Sequence, residues 1–398
     1  MAFQMDEGWA YIVAMASFSV IFIINIVDKS SGLYYPYMID YFEESAERVA
    51  LALSLIPVLK KLLGPFAAFL MERFSCRLVT IFSTVTMMSG SLLIYFSSNF
   101  NQLIIACVLI GYAACLANFS SYYILDMYFQ RHFTLVFSIR TLIRGIGSTL
   151  ATPINQFIVM RYGWKSSYLI LTAVFYQMTV CATVFRTPKK AQKHEQNDKE
   201  MQFIELNPPK KKKTWLKERL DYLHQLGHFS LFNKSTFLLL LFALFLQGTV
   251  NEGILLIMTD DLKDRGATLH ASQFIGTFYG LGNLIGAPFH YVCSNFISKN
   301  FLVHYALCLF TASLSFFVCI AFKNAEFVLY ITIFVYGFSN GWETTLKPLI
   351  IKYHIDYDDF AFGLAWVNFS YGISAFVGSH IIGKSFKNYF FFCFYIKI

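Results

Sequence analysis

Runs of about twenty apolar residues recur along this chain. A helix rising about 1.5 Å per residue needs that many to cross a hydrocarbon core roughly 30 Å thick. A pass along the 398 residues predicts spans near 9–31, 49–71, 78–97, 102–126, 133–158 and 166–185, then near 235–258, 270–297, 302–322, 326–350 and 361–382. The last apolar piece, Asn388–Ile398, reaches only about half way across. Charged residues make up 14% of the chain, against about 25% in soluble proteins. That deficit excludes a water-soluble enzyme, a disordered chain and a coiled coil. The eight cysteines have no paired spacing and read as small hydrophobes, not as a disulfide or metal framework. The expected fold class is an all-α polytopic membrane protein with six spans, a loop, five spans and part of a twelfth.

Twelve of the 32 basic residues fall between Arg186 and Lys234, among them the run Lys210–Lys213. The positive-inside rule places this loop in the cytoplasm, and six preceding spans put the N-terminus there too. The expected domains are residues 1–186, a six-helix bundle; 187–234, a cytoplasmic linker; and 235–398, five spans plus a partial twelfth. The segment Asp28–Arg48 holds five acids and two bases and is expected outside. Met1–Gly8 is short and acidic and lacks the basic region of a signal peptide.

Ionisable groups near mid-membrane carry the most information. Each basic group at the bilayer centre costs about 2.5–3.5 kcal/mol unless it faces water, an anion or an acid. Span 2 carries Lys60 and Lys61; span 5 carries Arg140 and Arg144, four apart and therefore on one face. Lys60 and Lys61 stand about 100° apart around a helix, so at most one points down a cavity axis while the other snorkels or pairs. The second half answers with Glu252 in span 7 and Glu343 in span 10. Glu343 and Lys347 are spaced i, i+4 and read equally as a salt bridge within one helix. By composition alone, Lys29 near the end of span 1 reads as a snorkelling residue.

Gly276/Gly280 and Gly282/Gly286 read as small-residue packing surfaces, and His290 and His304 as helix-packing groups. Zinc-protease, P-loop, nucleophile-elbow and paired-cysteine patterns are missing from the sequence. No enzyme activity, cofactor, metal or nucleic-acid partner is expected.

Asp6-Glu7-Gly8-Trp9-Ala10-Tyr11 opens span 1, and Tyr128-Phe129-Gln130-Arg131-His132-Phe133-Thr134-Leu135 leads into span 5, continuing to Gly147 and Pro153. These stretches resemble the two signatures of the monocarboxylate transporter family, a branch of the major facilitator superfamily. Gly64-Pro65 with Glu72-Arg73, Gly337-Phe338 with Gly341-Trp342, and Phe362-Gly363-Leu364 agree with it. The resemblance implies a major facilitator fold of two six-helix bundles, here with the twelfth helix truncated, and a central site reached by alternating access. It also implies that Lys29, at its spacing from Asp6, binds a substrate carboxylate. For some members it implies a single-span immunoglobulin-like chaperone subunit, and it leaves open whether this chain uses one. The chain departs from the lactate-type pattern in span 8. There, matching on Pro288, Asn283 and Ala287 replace an Asp and an Arg held to bind the proton and the carboxylate.

The expected function is secondary transport of a small organic solute, a monocarboxylate, across the plasma membrane. The solute would enter past Tyr34, Tyr35 and Tyr37 and meet Lys29. It would then share Arg144, Arg140, Lys60 or Lys61, while Asn283 and Glu343 close over it. A coupled proton would ride on Glu343 or Glu252. The alternatives are carriage of aromatic amino acids or other non-lactate solutes, and a truncated, transport-inactive membrane protein.

Overall fold

The computed structural model describes residues 8–28, 31–186, 228–264, 269–293, 300–321, 326–354, 360–375 and 377. Among them every regular element is helical, the form in which a chain in lipid can satisfy its backbone within one segment. The first half contains α1 (Trp9–Asp28), α2 (Ser31–Phe42), α3 (Ala46–Leu62), α4 (Gly64–Arg73), α5 (Cys76–Phe96), α6 (Phe100–Tyr128), α7 (Phe133–Tyr162) and α8 (Trp164–Val184). A short 3-10 turn, Phe229–Asn233, precedes α9 (Ser235–Asp264), α10 (Leu269–Cys293), α11 (Phe301–Ala321) and α12 (Glu326–His354). A last helix, α13, covers 360–375.

Two spans differ from their sequence reading. The stretch after Asp28, expected as an outside segment, is helical from Ser31 to Phe42. Tyr34 and Met38, one turn apart, are both buried. The Tyr34 hydroxyl donates to Asn155 Oδ1 at 3.2 Å and accepts from Ser167 Oγ at 3.0 Å, and its ring packs on Tyr168. Tyr34 is thus a packing residue of the first half, not part of an entrance. Counting acids cannot see this, because Asp40, the acid within Ser31–Phe42, is exposed while Tyr34 and Met38 face inward. Span 2 is broken as well: α3 and α4 meet at Leu63 with a 50° bend. Pro65 near the start of α4 has no N–H to give and its ring crowds the preceding turn. The bend presses Gly64 against α13, where a Cβ would lie 2.7 Å from the Ala365 carbonyl oxygen.

Within the first half, α5 packs on α6 and α8, α6 on α3, and α1 on α6, α7 and α8. In the second half α12 packs on α10 and α11. The α10–α12 seam is backbone on backbone. A side chain on Gly282 or Gly286 would run into the carbonyls of Phe334 and Phe338, and one on Gly337 or Gly341 into those of Tyr279 and Asn283. The Gly282/Gly286 pair therefore serves close helix packing, as its spacing suggests. Gly280 faces the other way, to Thr149 of α7. Across the halves, α7 runs along α10 and touches α12.

Candidate functional site

The charged side chains of spans 2, 5 and 10 meet near the middle of the helices, where the halves face each other. Arg144 on α7 donates from Nη2 to Thr344 Oγ1 on α12 at 2.8 Å. The neighbouring Glu343 is 1% exposed and pairs with Lys347 Nζ at 2.7 Å. The ring of Tyr371 on α13 is in contact with two ammonium groups, Lys61 Nζ at 3.4 Å and Lys347 Nζ at 4.8 Å from its centroid. Arg144 and Lys61 also act electrostatically on Glu343. Around one carboxylate, the described residues thus gather three cations contributed by both halves.

The other two first-half cations turn inward. Arg140 is buried and donates to Asn118 Oδ1 at 3.0 Å and Ser121 Oγ at 2.8 Å on α6. Its guanidinium covers the Tyr122 ring at 3.4 Å. Tyr122 in turn feels Arg144 and Lys347, so it links Arg140 to the cluster. Lys60 is buried within electrostatic reach of Cys115 on α6. The adjacent lysines therefore divide as their angular separation requires: Lys61 reaches across to α13, and Lys60 faces the first half's own interior.

Asn283 is buried inside the second half, donating to Asn340 Oδ1 at 3.2 Å. Lys29 lies outside the described residues. So does the side chain of Glu252, which stands on α9. His290 and His304 are buried and pack edge to face, 4.5 Å between ring centroids. Among the described residues no three metal-binding side chains stand together.

A second set of contacts joins the halves at the end where Arg186 and His228 flank residues 187–227, hereafter the linker end. Lys352 Nζ pairs with Asp126 Oδ1 at 2.6 Å and lies 3.7 Å over the Phe133 ring. His228 Nε2 lies 3.2 Å from Glu72 Oε1, and its ring stacks on Phe362. The sequence reading missed Asp126, Lys352, Tyr122, Thr344 and Tyr371. Asp126, an acid in the last turn of a long apolar span, was the available signal; the tyrosines had none in so aromatic a chain.

Two halves built of long apolar helices, meeting around a cation-rich cluster, have the architecture of a membrane carrier. Residues 11–379 match the Major Facilitator Superfamily. The chain belongs to that superfamily, and within it is similar at low identity to the monocarboxylate transporters. Monocarboxylate transporter 12 of Rattus norvegicus is 20% identical over 390 residues, 95% of this chain and 80% of the relative. Monocarboxylate transporter 2 of Rattus norvegicus is 29% identical over 190 residues, 46% of this chain and 37% of the relative. For monocarboxylate transporter 12 of Xenopus laevis the identity is 23%, and the match spans 40% of the relative's length. Several such matches therefore cover less than half of the relative. The solved structure of the proton:xylose symporter XylE bound to 6-bromo-6-deoxy-D-glucose shares the fold. Its TM-score is 0.70 at 13% identity, covering 96% of this chain and 90% of that one. The chain is a membrane-embedded secondary transporter, not an enzyme.

Proposed function

We propose that this transporter carries a small organic anion, a monocarboxylate, across the plasma membrane by alternating access. The observation that carries the reading is the cluster of Lys61, Arg144 and Lys347 around the carboxylate of Glu343, drawn from both halves. Cations held in a low-dielectric interior are costly without a negative partner, and a solute carboxylate can accept charge-assisted hydrogen bonds from a lysine or a guanidinium. On this reading, residues 1–186 and 235–398 form two bundles that rock about the site, joined by the 187–234 linker, with the N-terminus cytoplasmic. The solute is handed from Lys29 to Arg144 and Lys61. Arg140 holds Tyr122 against the site, and Lys60 contributes positive potential from behind. Glu343 and Glu252 are the groups available to carry a coupled proton.

One observation favours a larger solute. The rings of Tyr122 and Tyr371 stand beside the cations, and Asn283, where lactate-type members carry an Asp, is bonded to Asn340. Aromatic amino acids are therefore the second reading. Uptake in a transport-null cell decides between them, with lactate, pyruvate, aromatic amino acids and guanidino compounds as competitors. Competition by lactate and pyruvate, lost in Arg144→Ala at unchanged surface abundance, is the expected result. Competition by the zwitterions or guanidino compounds alone overturns the monocarboxylate.

A further inference from the structure

A line of buried polar atoms leads away from the cation cluster inside the second half. Among the described residues, Asn283 Oδ1 and His290 Nδ1 on α10 and Trp342 Nε1 on α12 are buried side-chain atoms without a hydrogen-bond partner. His290 is 1% exposed, and its ring meets those of His304 at 4.5 Å and Phe301 at 5.2 Å between centroids. His304 in turn lies 5.6 Å from the Trp342 ring, and Trp342 precedes Glu343 on α12. Tyr305, next to His304 on α11, and Cys308, one turn further on from His304, both feel the charge of Glu343. At the other end Phe301 packs on Tyr353, an exposed residue beside Lys352 of the linker-end pair. Asn283 and His290 stand two helical turns apart, so the line runs about 10 Å along the seam, from the depth of the site toward the linker end.

A histidine that only packs could be a phenylalanine, with no polar atom to bury. Polar atoms buried without partners are unfavourable, and ionisable side chains inside membrane spans mark proton paths. An imidazole takes a proton on one nitrogen and gives one up from the other, so two in ring contact can pass a proton along. We infer that His304 and His290 form a proton relay, which carries the coupled proton from Glu343 to the linker end inside the second half. Water hydrogen-bonded to Trp342 Nε1 and Asn283 Oδ1 joins the carboxyl to His304. The Glu343 O–H bond breaks as an N–H bond forms on His304. His304 then yields a proton to His290, and His290 releases one to water beside Phe301 and Tyr353. Both rings end neutral, and the carboxylate is left charged beside Lys347. The inference rests on the reading of Glu343 as the proton carrier and adds the route, which lies apart from the solute's own path between the halves. The titratable and charged groups around that route are His304, Tyr305 and Cys308 on α11, Glu343, Lys347 and Tyr353 on α12, Tyr291 beside His290 on α10, and Arg144 on α7 at the Glu343 end.

The test uses the full chain in vesicles with radiolabelled lactate as the probe, under a pH gradient held by buffer. Three quantities are read: the initial rate of net uptake, the rate of exchange against internal lactate, and the final accumulation. Exchange does not require the proton to leave the carrier, and accumulation is fixed by coupling, not by the speed of a relay. His290→Phe keeps an aromatic ring against Phe301 and His304 and removes the nitrogens. In it the initial rate of net uptake falls at least about tenfold, exchange stays within about twofold of wild type, and accumulation matches wild type. Should His290→Phe fail to reach the membrane, His290→Gln gives the same pattern. Net uptake at the wild-type rate, or equal loss of both modes in a membrane-resident variant, overturns the relay. So does a collapse of accumulation, the mark of a lost coupling group and not of a lost route. A wild-type protein whose lactate accumulation ignores the pH gradient overturns the reading of Glu343 as proton carrier, a result visible before any variant is made.

Discussion

At the linker end the halves meet in a matched pair, Lys352 with Asp126, while His228 of the linker lies against Glu72 of the first half. At mid-depth, among the described residues, they meet around one carboxylate, Glu343, with Lys61, Arg144 and Lys347 about it. The difference separates a latch from a ligand site. A matched buried pair compensates its own desolvation and favours the arrangement in which its partners touch. A cluster weighted to one sign attracts the opposite charge from solution and gains from its arrival. Aromatic rings serve both regions differently: Phe133 caps the Lys352 ammonium at the latch, whereas Tyr371 is shared between two ammonium groups at the site.

The largest effect that can break this contrast comes from Arg144. Truncation to alanine removes a part-buried charged hydrogen bond and a cation of the cluster, about 3 kcal/mol together, so uptake falls on the order of a hundredfold at unchanged surface abundance. Unchanged uptake in that variant would remove Arg144 from the site. A smaller effect separates the adjacent lysines. Lys61→Gln lowers uptake about tenfold, through loss of its charge and its contact with the Tyr371 ring, while Lys60→Gln changes the half-saturation by no more than about threefold. Equal effects would mean that both lysines face the solute. The smallest effect on transport belongs to the latch. Asp126→Asn leaves half-saturation within about threefold, yet speeds thiol labelling of a Phe360→Cys reporter, because the pair no longer holds the linker end shut. The swapped pair Asp126→Lys/Lys352→Asp slows labelling again; fast labelling in both would show that the pair closes nothing.

Much of the fold was legible because a hydrocarbon core imposes one length on every span. The helices of spans 3, 4, 6 and 9 begin and end within a few residues of the hydropathy reading. The continuation from Ser31 to Phe42 was not legible. Its buried stripe, Tyr34 and Met38, is interrupted by polar turn faces that lower the windowed hydropathy. At the site, the helical period separated Lys60 from Lys61 but could not say which faced the other half; the positions of Lys60 near Cys115 and of Lys61 over the Tyr371 ring decide that. Arg140 and Arg144 share a face by spacing, yet Asn118, Ser121 and Tyr122 on α6 capture only the first. Asp126 and Lys352 lie 226 residues apart near span ends, where charges ordinarily meet headgroups, so nothing in either stretch signalled that they pair.

The central claim is that the mid-depth cations recognise negative charge. Competition against labelled solute by lactate and by lactamide, which keeps the carbon skeleton and replaces the carboxylate with a neutral amide, tests it most directly. Wild-type uptake is expected to be inhibited by lactate and left unaffected by lactamide at the same concentration, with the distinction lost in Arg144→Ala. Equal inhibition of wild-type uptake by acid and amide would contradict the account.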